Sequence, residues 1–181
     1  MTADEFDALF DRFAVSVFRL ETFQQYRVGE DDEIAAWLQG EPKPERSVRT
    51  SPWLARIART TIVDGKEWSR IHLVEEPLTD YLRYEFSAYV ESQAAGEQIR
   101  IADRTSANLD FNEDFWLFDE SRDDAYAIAM RYAEDGSMHG FELVTDPPTL
   151  ARYTAMKGAA WGASVPLNDY LVRTAVTTGR A

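Results

Sequence analysis

WLARIARTTIVDGKEWSRIHLVE, residues Trp53–Glu75, decides how the fold is read. Asp64-Gly65 sits between two segments that can be read as alternating, and Asp-Gly in that setting is a strong short-range signal for a two-residue hairpin turn. Read so, the stretch is two strands. Val63 faces Lys66, and the register then pairs Thr61 with Trp68, Arg59 with Arg70 and Ile57 with His72 on one face. Ala58, Ile62, Ile71 and Leu73 fall on the other, apolar face. Two arginines directly opposite each other are unfavourable unless something negative lies between them. The face bearing Arg59, Trp68, Arg70 and His72 is therefore a candidate site for a carboxylate, a phosphate or a flat anionic ligand. If Arg59 and Arg70 are instead paired internally, the hairpin is only a sheet nucleus. Glu97 and Arg100, in AGEQIR, are candidates for such internal partners.

Charge sharpens this reading. The chain has 181 residues and a net charge of −13. Arg46–Arg70 nevertheless holds six bases and two acids, a local +4 that leaves −17 for the rest. An acidic surface repels nucleic-acid phosphates, so nucleic acid is not expected as a direct partner, whereas a basic protein is electrostatically easier. Hydrophobic residues make up 45% of the chain, enough for one domain with a full core. There is no cysteine, which removes disulfides, thiolate nucleophiles and cysteine-ligated zinc. No apolar run approaches the roughly 20 residues of a membrane helix. The N-terminus, MTADEFDALFDRF, is acidic and amphipathic rather than a signal peptide. A cytoplasmic location is the expectation.

Upstream, Thr2 and Glu5 form a capping box for a first helix carrying Phe6, Leu9, Phe10 and Phe13. Val15–Leu20 reads as either a short strand or a continuation of that helix. Glu30–Gln39 reads as a short helix with Glu30, Asp31, Asp32 and Glu33 in its first turn, where the helix dipole favours acids. With Trp37, these residues are a candidate dock for a basic partner. Gly40 ends the helix, and Glu41–Glu45 forms a stiff connector.

Downstream, Thr79 caps a helix that runs to about Ala95, with Leu82, Phe86, Tyr89, Val90 and Gln93 inward. Gln98–Ile101 is a short strand. Phe115–Asp119, FWLFD, is an almost wholly apolar strand expected to be central and covered on both faces. Asp110, Glu113, Asp114 and the acids from Asp119 to Asp124 read as a solvated loop without calcium-loop spacing. A second Asp-Gly hairpin joins Tyr126–Ala133 to Ser137–Val144 and pairs Tyr132 with His139, Met130 with Phe141, and Ile128 with Leu143. Asp146-Pro147 opens a helix to about Ala163, Pro166 starts a last helix over Leu167–Ala175, and Val176–Ala181 is a tail.

The expected architecture is a single α+β domain. Its sheet is mainly antiparallel, of about six strands with two Asp-Gly hairpins, packed by N-terminal, central and C-terminal helices. Residues 1–45 are read as an N-terminal helical segment and 46–175 as the core. Phosphate-binding loops, zinc-protease motifs and serine-nucleophile motifs are all missing, so no catalytic residue, metal or cofactor is assigned.

The stretches EWSRIHLVEEPLTDYLRYEFSAYV, AGEQIRI, DFWLFD, YAEDG, GFELVTDP and SVPLNDYL occur in that order. Together, over about Arg46 to Leu171, the chain resembles an uncharacterised family of small actinobacterial proteins, common in Streptomyces-like genomes and catalogued as a domain of unknown function. The resemblance implies genes lying near helix-turn-helix regulators, in a toxin–antitoxin-like or developmental setting. It supplies no catalytic residues. The function expected is that of a cytoplasmic accessory or regulatory protein that binds a protein partner. The alternative is a small anionic-ligand or nucleotide sensor, or an enzyme, using Arg59, Arg70, His72 and Trp68.

Overall fold

A computed structural model describes residues 2–27, 29 and 31–174, with Asp31 by its backbone only. In it, the first half of the decisive stretch is a helix. Helix α3 spans Pro52–Ile62, and strand β2 spans Glu67–Val74. The first expected hairpin is thus a helix–turn–strand unit. Ser51 caps α3 by accepting from the Leu54 N–H, and Pro52 occupies the first turn, where its missing N–H is not needed. Leu54, Ile57 and Thr60, spaced for a helix, are the residues α3 buries. Gly65, at φ +68°, provides the left-handed step that stops the helix, and Lys66 N–H returns to Thr60 O. Ile62 and Val63, assigned to a strand by alternation, are 79% and 75% exposed at the helix end.

That one change reorganises the sheet. Helix α1 is Ala3–Arg12, capped by the expected Thr2/Glu5 box, and strand β1 is Ser16–Glu21. Helix α2 is Asp31–Leu38, α4 is Asp80–Ala94 and β3 is Gln98–Asp103. β1 pairs parallel with β2, and β2 parallel with β3. Parallel strands need a crossover, which α3 and α4 provide. A short helix α5 (Arg104–Ala107) lies between β3 and β4 (Asp114–Phe118). Strands β5 (Tyr126–Tyr132) and β6 (Met138–Val144) form the second hairpin, and α6 (Pro147–Ala163), β7 (Val165–Pro166) and α7 (Leu167–Thr174) follow.

Among the described residues the sheet has seven strands in the order β6-β5-β4-β1-β2-β3-β7. Four of the six pairings are antiparallel, so the sheet is mixed rather than built from two hairpins. β1, from the stretch left open between a short strand and a continued helix, is the middle strand. β4 is buried at every position, as its apolar run requires.

Alternation along the strands separates two faces. Phe18, Leu20, Ile71, Leu73, Phe115 and Leu117 pack against Tyr153, Met156 and Ala160 of α6. Val17, Trp68, Trp116 and Phe118 pack against Phe10 and Phe13 of the N-terminal segment and Leu54 and Ile57 of α3. Helix α4 continues this second layer with Leu82, Phe86 and Tyr89. Val90, expected inward, is 42% exposed.

The second hairpin keeps its expected register at Met130–Phe141 and Ile128–Leu143, but a bulge between Arg131 and Tyr132 sets Tyr132 opposite Met138 instead of His139. Its turn is also a packing contact. Gly136 has φ +81°, and a Cβ there would lie 2.3 Å from the Gln25 carbonyl oxygen. Arg27 N–H donates to Gly136 O at 3.0 Å. Gly65 meets nothing within 4 Å. Gly65→Ala should therefore cost only the left-handed backbone penalty of about 1–2 kcal/mol. Gly136→Ala adds a backbone clash and should cost clearly more, read as the larger fall in urea midpoint.

Candidate functional site

Beside the apolar cluster on the α1/α3/α4 face lies a closed ionic network, built from the strands upward. In the parallel register Arg19 of β1 neighbours Arg70 of β2, and Glu21 neighbours His72. Two adjacent arginines require an intervening anion, and Glu21 provides it. Its carboxylate takes Arg70 Nη1 at 2.9 Å and lies 3.5 Å from Arg19 Nε. Arg70 Nε reaches Glu97 at 2.9 Å, the internal partner anticipated for a hairpin arginine. Arg100, the other candidate, instead bonds Ser164. Arg19 Nη2 reaches Asp114 at 2.9 Å. Asp114 also accepts from Thr22 N–H, Thr22 Oγ1 and Tyr26 O–H. It was expected in a solvated acidic loop, but it opens β4 and is 2% exposed. Asp119, from the same group, is 4% exposed and accepts from the Ala14, Val15 and Ser16 amides.

Aromatic rings enclose the cations. Arg70 lies over Tyr89 and Trp116, and Arg19 over Trp116, at 5.2–5.7 Å. The segment Thr22–Arg27 closes the network from above. Gln24 pins it by bonding Leu73 O at 2.8 Å and accepting from Glu75 N–H at 2.8 Å. Arg19 Nη1 and Glu97 Oε2 are buried without a protein partner. Two guanidinium groups face the three carboxylates Glu21, Glu97 and Asp114, so with His72 neutral the cluster holds one excess negative charge.

His72 completes the chain. Nε2 is 2.8 Å from Phe23 O, Nδ1 is 2.7 Å from Tyr89 O, and Tyr89 O–H lies 2.6 Å from Glu21. Burial pushes the His72 imidazole below its ordinary range, against the opposing pull of Glu21, Phe23 O and Asp114 and with a further push from Arg70. Burial alone would raise Glu21, yet Arg70, Arg19, His72 and the Tyr89 hydrogen bond hold it well below the usual carboxylate range. Burial, Asp114 and Glu21 raise the Tyr26 hydroxyl well above the phenol range. With His72 neutral, the ring and Tyr89 supply two protons for three contacts, so either tautomer leaves one contact unmet.

The expected four-residue face is not assembled. Arg70 and His72 lie in the network. Trp68, on the same face, is 1% exposed and packs on Trp53 and Phe10, its indole N–H donating to Thr60 Oγ1 at 2.7 Å. Arg59 sits on the surface of α3, paired with Asp11 and Asp64. An anion at Arg70 would have to displace both Glu21 and Glu97. Of the acidic-helix group, Glu30 and the Asp31 side chain lie outside the described residues, and Asp32 is exposed. Glu33 accepts from Tyr84 O–H at 2.8 Å, and Trp37 packs edge-on against Tyr84, so both are turned toward α4. Sequence reading missed Arg19 and Glu21, whose only signal was their shared parity with Val17 on β1. Among the described residues no cluster of three or more His, Asp or Glu converges as a metal site, and no helix is long and apolar enough to cross a membrane.

The chain matches the family described as Domain of unknown function (DUF6879) over residues 4–172. It therefore belongs to that family. No curated protein matches the chain significantly.

Removing one partner from a buried pair leaves the other charge uncompensated. Glu21→Gln should destabilise the fold by about 3–5 kcal/mol in urea titration, whereas Arg59→Ala should stay within about 0.5 kcal/mol. The folded state resists protonation at His72 and Glu21, so the unfolded chain binds more protons as pH falls. Stability should decline below the ordinary imidazole value of 6.5 and again below the ordinary glutamate value of 4.5. His72→Gln should flatten only the upper decline, measured as urea midpoint against pH.

Proposed function

We propose that this protein is a non-catalytic accessory module that binds a basic protein partner by adding a strand of that partner to β6. The asymmetry of the sheet edges carries this reading. At one edge β7 is two residues long, includes Pro166, which has no N–H, and runs directly into α7. That is an edge closed to further pairing. At the other, β6 is a seven-residue strand with no proline, and Met138 and Leu143 are 53% and 51% exposed. Natural sheets shorten, charge or cover such an edge, and one left long is a template for strand addition. Beside it, Leu9, Arg12, Tyr126, Leu143 and Thr145 line a groove of about 450 Å³ that can take side chains of an added strand.

The net charge of −13 favours a basic partner and speeds its encounter. A helix-turn-helix regulator, the partner class implied by the family resemblance, carries positive charge on the face that contacts DNA phosphates. The closed ionic network supports the same reading, because its charged groups are committed to one another rather than presented to a substrate.

The test is titration of such a regulator, encoded beside this chain, into the purified protein. Binding should weaken with added salt, and β6 backbone amides should gain protection from hydrogen exchange. Leu143→Lys places a charge on the edge and should lower affinity at least tenfold, equivalent to about 1.4 kcal/mol, without changing the melting temperature. Unprotected β6 amides in the complex would overturn the assignment of the surface. No binding by the regulator would overturn the partner class.

A further inference from the structure

On the opposite face of the sheet, we infer a second site, a small-molecule cleft that takes an amine-bearing ring compound. It has a volume of about 540 Å³ and lies between the N-terminal ends of β2 and β3 and helix α6. Its walls include Glu67, Ser69 and Gln98 from the sheet, Glu120 beyond β4, and Lys157, Gly158 and Trp161 from α6.

Both walls depart from the pattern around them. Away from the cleft the strand centres on this face are apolar, with Phe18, Leu20, Ile71, Leu73 and Ala102 under α6, while Arg100 turns to Ser164. At the cleft the same parity carries Glu67, Ser69 and Gln98. Opposite them the helix has Gly158 in its interior, where glycine is disfavoured against alanine. Packing does not demand it, since a Cβ at Gly158 would meet nothing within 4 Å. With polar residues on one wall and no side chain on the other, the space between sheet and helix is left unfilled.

The lining specifies the ligand. Lys157 is paired with Glu120, whose Oε2 has no partner, and Glu67 is exposed at the mouth. Among the residues that line the cleft two carboxylates face one ammonium, an excess negative charge that suits a single cationic group, while Arg100 is held outside the lining by its bonds to Ser164. Ser69 and Gln98 offer neutral hydrogen bonds. Trp161 is half-buried, and the Arg100 guanidinium lies 4.9 Å from its ring centroid. An indole wall beside a carboxylate favours a flat ring bearing an amine.

Tryptamine, indole-3-acetate and spermidine separate the requirements for ring and charge. Calorimetry and thermal shift on the full chain should show tryptamine binding at millimolar concentration or better, and neither of the other two matching it. Glu67→Gln should weaken tryptamine at least about fivefold. Gly158→Leu should remove tryptamine binding while leaving the unliganded melting temperature equal or higher. Leu143→Lys, on the far edge strand, should leave tryptamine binding unchanged, which separates this site from the partner surface. Equal binding of spermidine would reduce the effect to attraction by the acidic surface and overturn the inference. So would an absence of tryptamine binding, or its persistence in both cleft variants.

Discussion

The carboxylate of Glu21 is the constraint on which the centre of the sheet depends. It sits between two arginines that parallel pairing of β1 and β2 forces side by side, and it also accepts the Tyr89 hydroxyl. Desolvating such charges is expensive, and a well-packed apolar substitute is often as stable. What the ions add here is selectivity of arrangement. Asp114 satisfies Arg19 only when β4 lies beside β1, and Glu97 satisfies Arg70 only when α4 has crossed over to start β3. A one-residue slip of β1 would turn Arg19 and Glu21 into the apolar layer under α6 and bring Phe18 and Leu20 to the polar side. The network thus penalises the wrong register more than it rewards the right one.

Much of the fold follows from local signals. The Thr2/Glu5 box, the Thr79 and Asp146 caps, the all-buried FWLF strand and the Asp135-Gly136 hairpin all stand where local chemistry places them. Asp64-Gly65 does not, because a glycine with positive φ serves a helix stop as well as a hairpin turn. The deciding evidence lay upstream. Ser51-Pro52 is a helix start, and Leu54, Ile57 and Ala58 have helical spacing as well as partial alternation. With α3 mistaken for a strand, β2 acquired a false neighbour and the parallel pairing with β1 could not be seen.

The candidate site was legible only in part for a related reason. Arg70 and His72 were singled out by parity on β2, which is local, and Glu97 was picked as an internal partner. Arg19, Glu21 and Asp114 join them across 49 to 95 residues of chain. No local pattern marks such partners. Asp114 was hidden further by its neighbours, because Asp110 and Glu113 flank it and the stretch reads as solvated. The general rule that adjacent arginines need an anion between them held, although the arginine beside Arg70 is Arg19 rather than Arg59.

A closed charged centre also shapes what the surfaces can do. The middle strands are committed on one face to the ion network and on the other to α6, and the two surfaces proposed for binding lie at the margins of the sheet. There the polarity of the lining changes: β6 ends the sheet without the proline that closes β7, and the starts of β2 and β3 turn polar beneath a glycine of α6. A substitution at Glu21 or Asp114 would therefore act on both margins only by loosening the sheet that carries them.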